Sequence, residues 1–549
     1  MADTLKPKKS FIKKWGGLFV LSLALAIIII DTTLLNVSIG PIIRDLNTDI
    51  QSIQWVITAY ALTLAALTIT GGRLGDLFGR RRMFMLGAII FAVGSLLASL
   101  STNVSTLLLG ESIIEGVGAA LMMPATASLL LVNFQGRERA IAFGLWGGVA
   151  GAASAVGPLL GGWLTSTYSW RWGFRINVVV AAVLVIGALL LIKESRDTAE
   201  KPSLDFGGVL LSSTGLFAIV FGIIESSTYG WWKAKDTFVL FNTPFSFFGL
   251  SITPFAIAIG AMLLTLFVWW ERQVEKQGKT PLVSLNLFKN RQFNSGAITL
   301  SVISLSLTGL IFSLPIFFQG VKGQDAFQTG MSLLPLSLSL FFAAPLSVLL
   351  TKKFTPKRLI QFGLLLSVIA IIVLRQAITP TASAGDLVLG LVLFGVGMGF
   401  VQSHINNLTL SAVSVQQAGE ASGVNNTGRQ IGSSLGSAII GALLLSALTA
   451  NLSSGIQTSR VIPDGYKDKI ASAVSAQTAN VEFGGGPQLG PNVPTKITDE
   501  IKSIADIATT DAVKTALLVA IGFAVFSLLV SMSLPNIKNV ETSKPASGH

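Results

Sequence analysis

The stretch GGRLGDLFGRRR, residues 71–82, separates two apolar runs at 53–76 and 83–101. Each run is about 20 residues long, the length that a helix rising 1.5 Å per residue needs to cross a bilayer's hydrocarbon core. Only a tight, basic turn fits between them. The two runs therefore read as antiparallel membrane helices whose shared end faces the side that retains Lys and Arg. Asp76 falls at the C-terminus of the first helix, where the macrodipole disfavours an anion. It needs compensation, from Arg80 or from the N-terminus of a facing helix. Gly72 and Gly75, three residues apart, lie roughly on one face and let another helix approach closely.

Outward from this turn the pattern repeats. The 549-residue chain is 51% hydrophobic and 12% charged, with a mean hydropathy of +0.69; soluble domains carry about twice that charged fraction. Apolar runs predict fourteen helices at 15–39, 53–76, 83–101, 105–131, 137–165, 170–192, 206–226, 249–270, 295–318, 327–350, 357–378, 385–412, 419–448 and 510–534. The first is too long for a cleavable signal and leads directly into further spans. Lys and Arg favour one side roughly two to one, and more strongly once residues 449–509 are set aside. Both termini are thus expected in the cytoplasm of a multi-pass cell (plasma or inner) membrane protein. The aromatic groups YSWRW (168–172), YGWW (229–232) and WW (269–270) fall at predicted span ends, as an interfacial belt would.

The fifth and thirteenth spans are both rich in small residues. They correspond if spans seven and eight are an insert between two six-helix halves, the weak internal correspondence of repeat-built transporters. The expected organisation is an all-α membrane protein with a tail at 1–14, a six-helix bundle at 15–192 and two inserted helices at 206–270. A second six-helix bundle at 295–534 and a tail at 535–549 follow. Residues 449–509 form a long external loop, read as a solvated connector.

Several function classes are excluded or disfavoured. The chain has no Cys and only two His, His404 and His549, which provides poorly for a metal site or a histidine-based catalyst. The net charge of +12 is dispersed in short clusters between spans rather than gathered for nucleic acid. No P-loop occurs, so ATP is not the direct energy source. An enzyme is not expected, nor any cofactor beyond a proton gradient.

Charged groups inside the spans carry the functional signal. Asp31 stands behind four isoleucines in AIIIIDTTLLNV (26–37), well into the first helix and beyond the midplane. An ionisable residue at that depth faces a cavity or a partner; a neutral, protonated Asp is the plain structural alternative. Glu111 and Glu115 of GESIIEGVGAA (110–120) are i,i+4 neighbours in the fourth span, and two like charges that close do not both ionise readily. Arg429 in the thirteenth span is a candidate ion-pair partner for one of these acids or for Asp76. His404 reads as a polar residue near the end of the twelfth span.

GRLGDLFGRRR resembles the loop motif of the major facilitator superfamily, carried here by Gly72, Asp76, Gly79, Arg80 and Arg81, with Leu77 where the family often has Arg. The resemblance implies a conformational latch in which Asp76 faces the start of helix thirteen near Gly419. GPLLGG (157–162) resembles the antiporter motif of proton-coupled drug exporters, matching Gly157, Pro158, Gly161 and Gly162; Pro158 bends the helix and the glycines open a close-packed seam. WRWGFRINVVVA (170–181), DTTLLNV (31–37) and GEASGVNNTGRQIGSSLG (419–436) are similar to segments of the fourteen-helix drug:proton antiporter branch. In the fourth span Ser112 and Glu115 replace the family's Arg and Gln.

The resemblance implies a proton-coupled efflux antiporter working by alternating access, with Asp31, Glu111 and Glu115 as the proton and substrate carboxylates. Lipophilic cations are the expected substrates and a monomer the expected state, with no nucleic-acid partner and any envelope partner left open. Two alternatives stay open: export of one endogenous metabolite, lipid or organic acid, and a non-transporting membrane receptor.

Overall fold

A computed structural model describes residues 11–48, 50–196, 204–240, 243–244, 249–471 and 495–537. Most of both expected tails, and residues 472–494 of the expected external loop, lie outside the described residues. Among the described residues, fourteen helices are long and apolar enough to cross a membrane. They are α1 (Phe11–Leu46), α2 (Ile50–Phe78), α3 (Arg80–Ser99), α4 (Val104–Asn133), α5 (Gly136–Thr167), α6 (Arg171–Leu191) and α7 (Phe206–Tyr229). The rest are α8 (Ile252–Lys276), α9 (Arg291–Val321), α10 (Ala326–Leu349), α11 (Pro356–Ala377), α12 (Ala384–Leu410), α13 (Ala418–Thr458) and α14 (Thr495–Ser531). A ribbon of two-residue strands, Val239–Leu240 with Thr243–Pro244, joins α7 to α8.

Helices α1–α6 pack on one another, as do α9–α14, giving two six-helix bundles. The bundles meet along two seams, α2 against α13 and α5 against α10. The inserted pair α7–α8 is a tight hairpin laid against α2 and α13, so it covers one seam rather than extending either bundle. We call the end at which α1 begins proximal. The Lys357 Nζ at the start of α11 donates to the Met532 carbonyl, 2.7 Å away, which places the end of α14 proximally too.

The largest departure from expectation is at 449–509. Helix α13 runs on to Thr458, residues 464–471 are helical, and α14 starts at Thr495. These extensions bury Leu452, Ile456, Ile462 and Ile501 against the second bundle's core. The Ser459 hydroxyl donates to Glu500 at 2.7 Å. A packed distal cap thus replaces the expected connector at both ends of that segment, because its amphipathic turns find an apolar surface to cover. The aromatic belt is also only partly realised. Tyr168, Trp172, Trp232 and Trp269 are exposed, whereas Tyr229 and Trp170 are buried, the latter donating its indole N–H to Asp45 at 3.1 Å.

Candidate functional site

The proximal end of the α2–α13 seam is clasped by the residues around Asp76. Gly72 and Gly419 touch backbone to backbone, and a Cβ on Gly419 would stand 2.5 Å from Asp76 Oδ1. That approach delivers the N-terminus of α13 to the Asp76 carboxylate: Gly419 N–H donates to Oδ1 at 3.0 Å and Glu420 N–H to Oδ2 at 2.8 Å. Two orphan N–H groups and the positive end of a helix dipole thereby stabilise a buried anion. Arg80 completes the arrangement. It pairs with Asp76 at 2.6 Å and donates to the carbonyls of Val415 and Gln416, at 2.5 and 3.1 Å, in the segment before α13. One carboxylate and one guanidinium thus tie the two bundles together.

The other motif residues support this clasp from behind. Gly79 has φ 111°, a left-handed conformation that a side chain resists, and it opens α3. Glu194, in the segment after α6, caps α3 by accepting from the N–H groups of Arg81 and Arg82 at 3.1 and 3.2 Å. The Arg81 guanidinium donates to the Ile192 carbonyl, and Gly75 packs on the Arg80 stem.

Glu420 has a second attachment that the sequence did not disclose. Its carboxylate accepts from Ser284 N–H at 2.6 Å, while Glu271 and Glu275 of α8 accept from Leu282 and Leu285 N–H at 3.0 and 3.3 Å. The strap leaving the inserted hairpin is therefore held by α8 and by α13 at once. Its Leu282 and Val283 pack with Ile69 of α2 and Phe267 of α8. Glu420→Ala would leave the Ser284 N–H without an acceptor, at a cost of about 1–3 kcal/mol. A thermal unfolding series is expected to show a lowered midpoint for Glu420→Ala and a largely recovered one for Glu420→Gln, which retains an acceptor oxygen.

The membrane carboxylates gather elsewhere, inside the first bundle. Residues Leu108–Glu115 of α4 are wound as a π-helix, a local unwinding that recurs at functional positions. Gly94 of α3 admits this stretch closely, since a Cβ there would meet Glu115 N at 2.5 Å. Glu111 and Glu115 are both buried, as is Asp31 of α1. Asn177 of α6 joins the set: its amide nitrogen lies 2.6 Å from Asp31 Oδ1, 3.0 Å from Glu115 Oε1 and 3.2 Å from Ser95 Oγ of α3. The remaining oxygens, Asp31 Oδ2 and Glu115 Oε2, are buried without a hydrogen-bond partner, as is the Tyr60 hydroxyl of α2. Glu111 accepts from Ser112, whose hydroxyl also approaches the Val56 carbonyl. Asp31 and Glu115 therefore come together through a residue that sequence reasoning missed. The available signal was a lone Asn in the run RINVVV.

Two expectations need correction. Arg429 makes no ion pair with any acid among the described residues. Asp76 is already satisfied by Arg80 and α13, and the carboxylate set is enclosed by the first bundle. The Arg429 guanidinium instead meets Met123 Sδ of α4 at 3.5 Å. The glycines of 157–162 do not all open one seam: a Cβ on Gly157 or Gly161 would press on Thr33 or Leu34 of α1, while Gly162 lies beside Phe327 of α10. Helix α5, with Pro158 inside it, thus lies between α1 and the opposite bundle. His404 is buried within α12, 3.1 Å from the Ser347 hydroxyl of α10.

Known proteins share sequence and fold with this chain. The Major Facilitator Superfamily family model matches residues 21–437. Puromycin resistance protein pur8 of Streptomyces alboniger is 31% identical over 470 residues, 84% of this chain and 89% of that protein. The Tetracenomycin C resistance and export protein of Streptomyces glaucescens is 28% identical over 434 residues, 79% of this chain and 76% of that protein. Among solved structures, the human organic anion transporter MFSD10 shares the fold with a TM-score of 0.54 at 13% identity, covering 94% of this chain and 99% of that one.

Proposed function

The chain belongs to the Major Facilitator Superfamily, a family of membrane transporters, and from that premise we propose that it exports small lipophilic compounds of the antibiotic kind in exchange for protons. The observation that carries the proton part is the Asn177 bridge. One amide holds Asp31 and Glu115, no cation pairs with either among the described residues, and each keeps a buried oxygen without a partner. An unpaired carboxylate buried this way is too costly to persist as a charge, so the pair holds hydrogen ions in this conformation. With both termini in the cytoplasm, the clasped end is the cytoplasmic one. The structure then corresponds to a state with the inner route shut, and the carboxylates exchange protons when the bundles rock to another state.

Antibiotic-like substrates are suggested by the resistance and export functions in the names of the relatives. Carboxylates would draw lipophilic cations only where they line the path of the cargo. Here Asp31 and Glu115 are gathered on Asn177 of α6, so they can power transport without selecting the charge of the cargo. The test is a growth-resistance panel that includes puromycin, in a sensitised host, with cellular accumulation followed before and after a protonophore. Lower accumulation of at least one compound, reversed by the protonophore, is expected. Accumulation indifferent to the protonophore would sink the proton-driven reading.

A further inference from the structure

We infer that Arg429 is a specificity-determining residue of the cleft between the bundles, and that it receives an anionic group, such as the carboxylate of a lipophilic organic acid. This rests on the transport reading above and names its substrate class. Arg429 lies eleven residues beyond Ala418, about 16 Å along α13 at 1.5 Å per residue, hence near the bilayer's middle. Its guanidinium crosses the seam to Met123 of α4, a thioether that accepts hydrogen bonds only weakly.

No acid among the described residues pairs with Arg429, and the buried acids named above meet other groups. Asp31 and Glu115 are bridged by Asn177, and Glu111 by Ser112. Asp76 and Glu420 are bound into the clasp, and Glu271 holds the strap. An arginine at this depth with no carboxylate beside it is stable only where a wet cavity or a ligand solvates it. Protein atoms leave part of the residue uncovered, although it stands mid-helix. A planar guanidinium with five donors in a low-dielectric cleft matches a carboxylate in charge and in geometry.

The experiment uses the purified full chain and measures equilibrium binding of fluorescein, an anionic lipophilic dye, beside its methyl ester and the cation ethidium. Wild type is expected to bind fluorescein saturably and at least tenfold more tightly than the ester. Arg429→Gln should weaken fluorescein binding at least tenfold without weakening ethidium, and Arg429→Lys should recover part of it. No saturable fluorescein binding by wild type, or equal affinity in Arg429→Gln, overturns the inference. Should Arg429→Gln fail to fold, the acid-over-ester ratio of wild type still decides: a ratio below two overturns it. A protonophore separates this inference from its premise, because equilibrium binding to the purified chain needs no gradient: uphill accumulation of fluorescein that is indifferent to the protonophore contradicts the proton reading alone.

Discussion

Asp31→Asn is expected to lower proton-driven export on the order of a hundredfold while downhill exchange, which needs no net proton movement, continues. Asparagine matches the size of the carboxyl and still presents an oxygen to the Asn177 amide, 2.6 Å away in the wild type. The fold around position 31 therefore has little reason to collapse. What disappears is a group able to take and release a proton, and a gradient cannot drive a cycle that carries no proton. Losing the coupling of two opposed fluxes removes about as much driving force as the gradient supplied; 1.4 kcal/mol corresponds to each tenfold of accumulation. Glu115→Gln should act in the same direction, with a smaller effect if Asp31 alone can still titrate. The comparison is steady-state accumulation in energised, everted vesicles against counterflow in de-energised ones. Equal losses in both assays would mean a folding or binding defect rather than uncoupling.

The second large effect concerns the clasp. In Asp76→Asn the two α13 N–H bonds lose their charged acceptor, and Arg80, 1% exposed, loses its counter-ion. Stranding one member of a buried pair costs about 3–5 kcal/mol. In a state where the proximal end is open, water solvates the same groups, so most of that cost falls on the clasped state. The clasped population should fall by on the order of a hundredfold relative to the opened one, taking 1.4 kcal/mol per tenfold. The chain has no cysteine, so a single Ile69→Cys reports directly; Ile69 is buried against Gly423 at the α2–α13 seam. Faster thiol labelling at position 69 in the Asp76→Asn background is the expected result. An unchanged labelling rate would mean that the seam is held by apolar packing instead.

Much of this was legible in the sequence because membrane insertion leaves strong marks. Fourteen apolar runs were enough for the number and order of the helices, and Asp76 at a helix end required a compensating partner that turned out to be the start of α13. The acids at 31, 111 and 115 stood out because so few charges occur at that depth. What could not be read was direction. Helix α1 is apolar around its whole circumference, so its pattern does not say which way Asp31 points. That answer came from Asn177, 146 residues away, whose amide also reaches Ser95. The Glu420–Ser284 bond spans 136 residues and uses a backbone N–H, which no side-chain pattern announces. Arg429 was misread for a related reason: a buried charge implies a partner, and the sequence offered only acids as candidates.

The central claim is that the carboxyls inside the first bundle hold protons that leave when substrate is carried. Its most direct test is proton release from the purified protein in weakly buffered solution on addition of a compound that the resistance panel identifies. The account predicts release by wild type that saturates with binding, and that is absent from the Asp31→Asn, Glu115→Gln double variant even though the compound still binds. Saturable binding with no proton release from wild type, or identical release from the double variant, would contradict it.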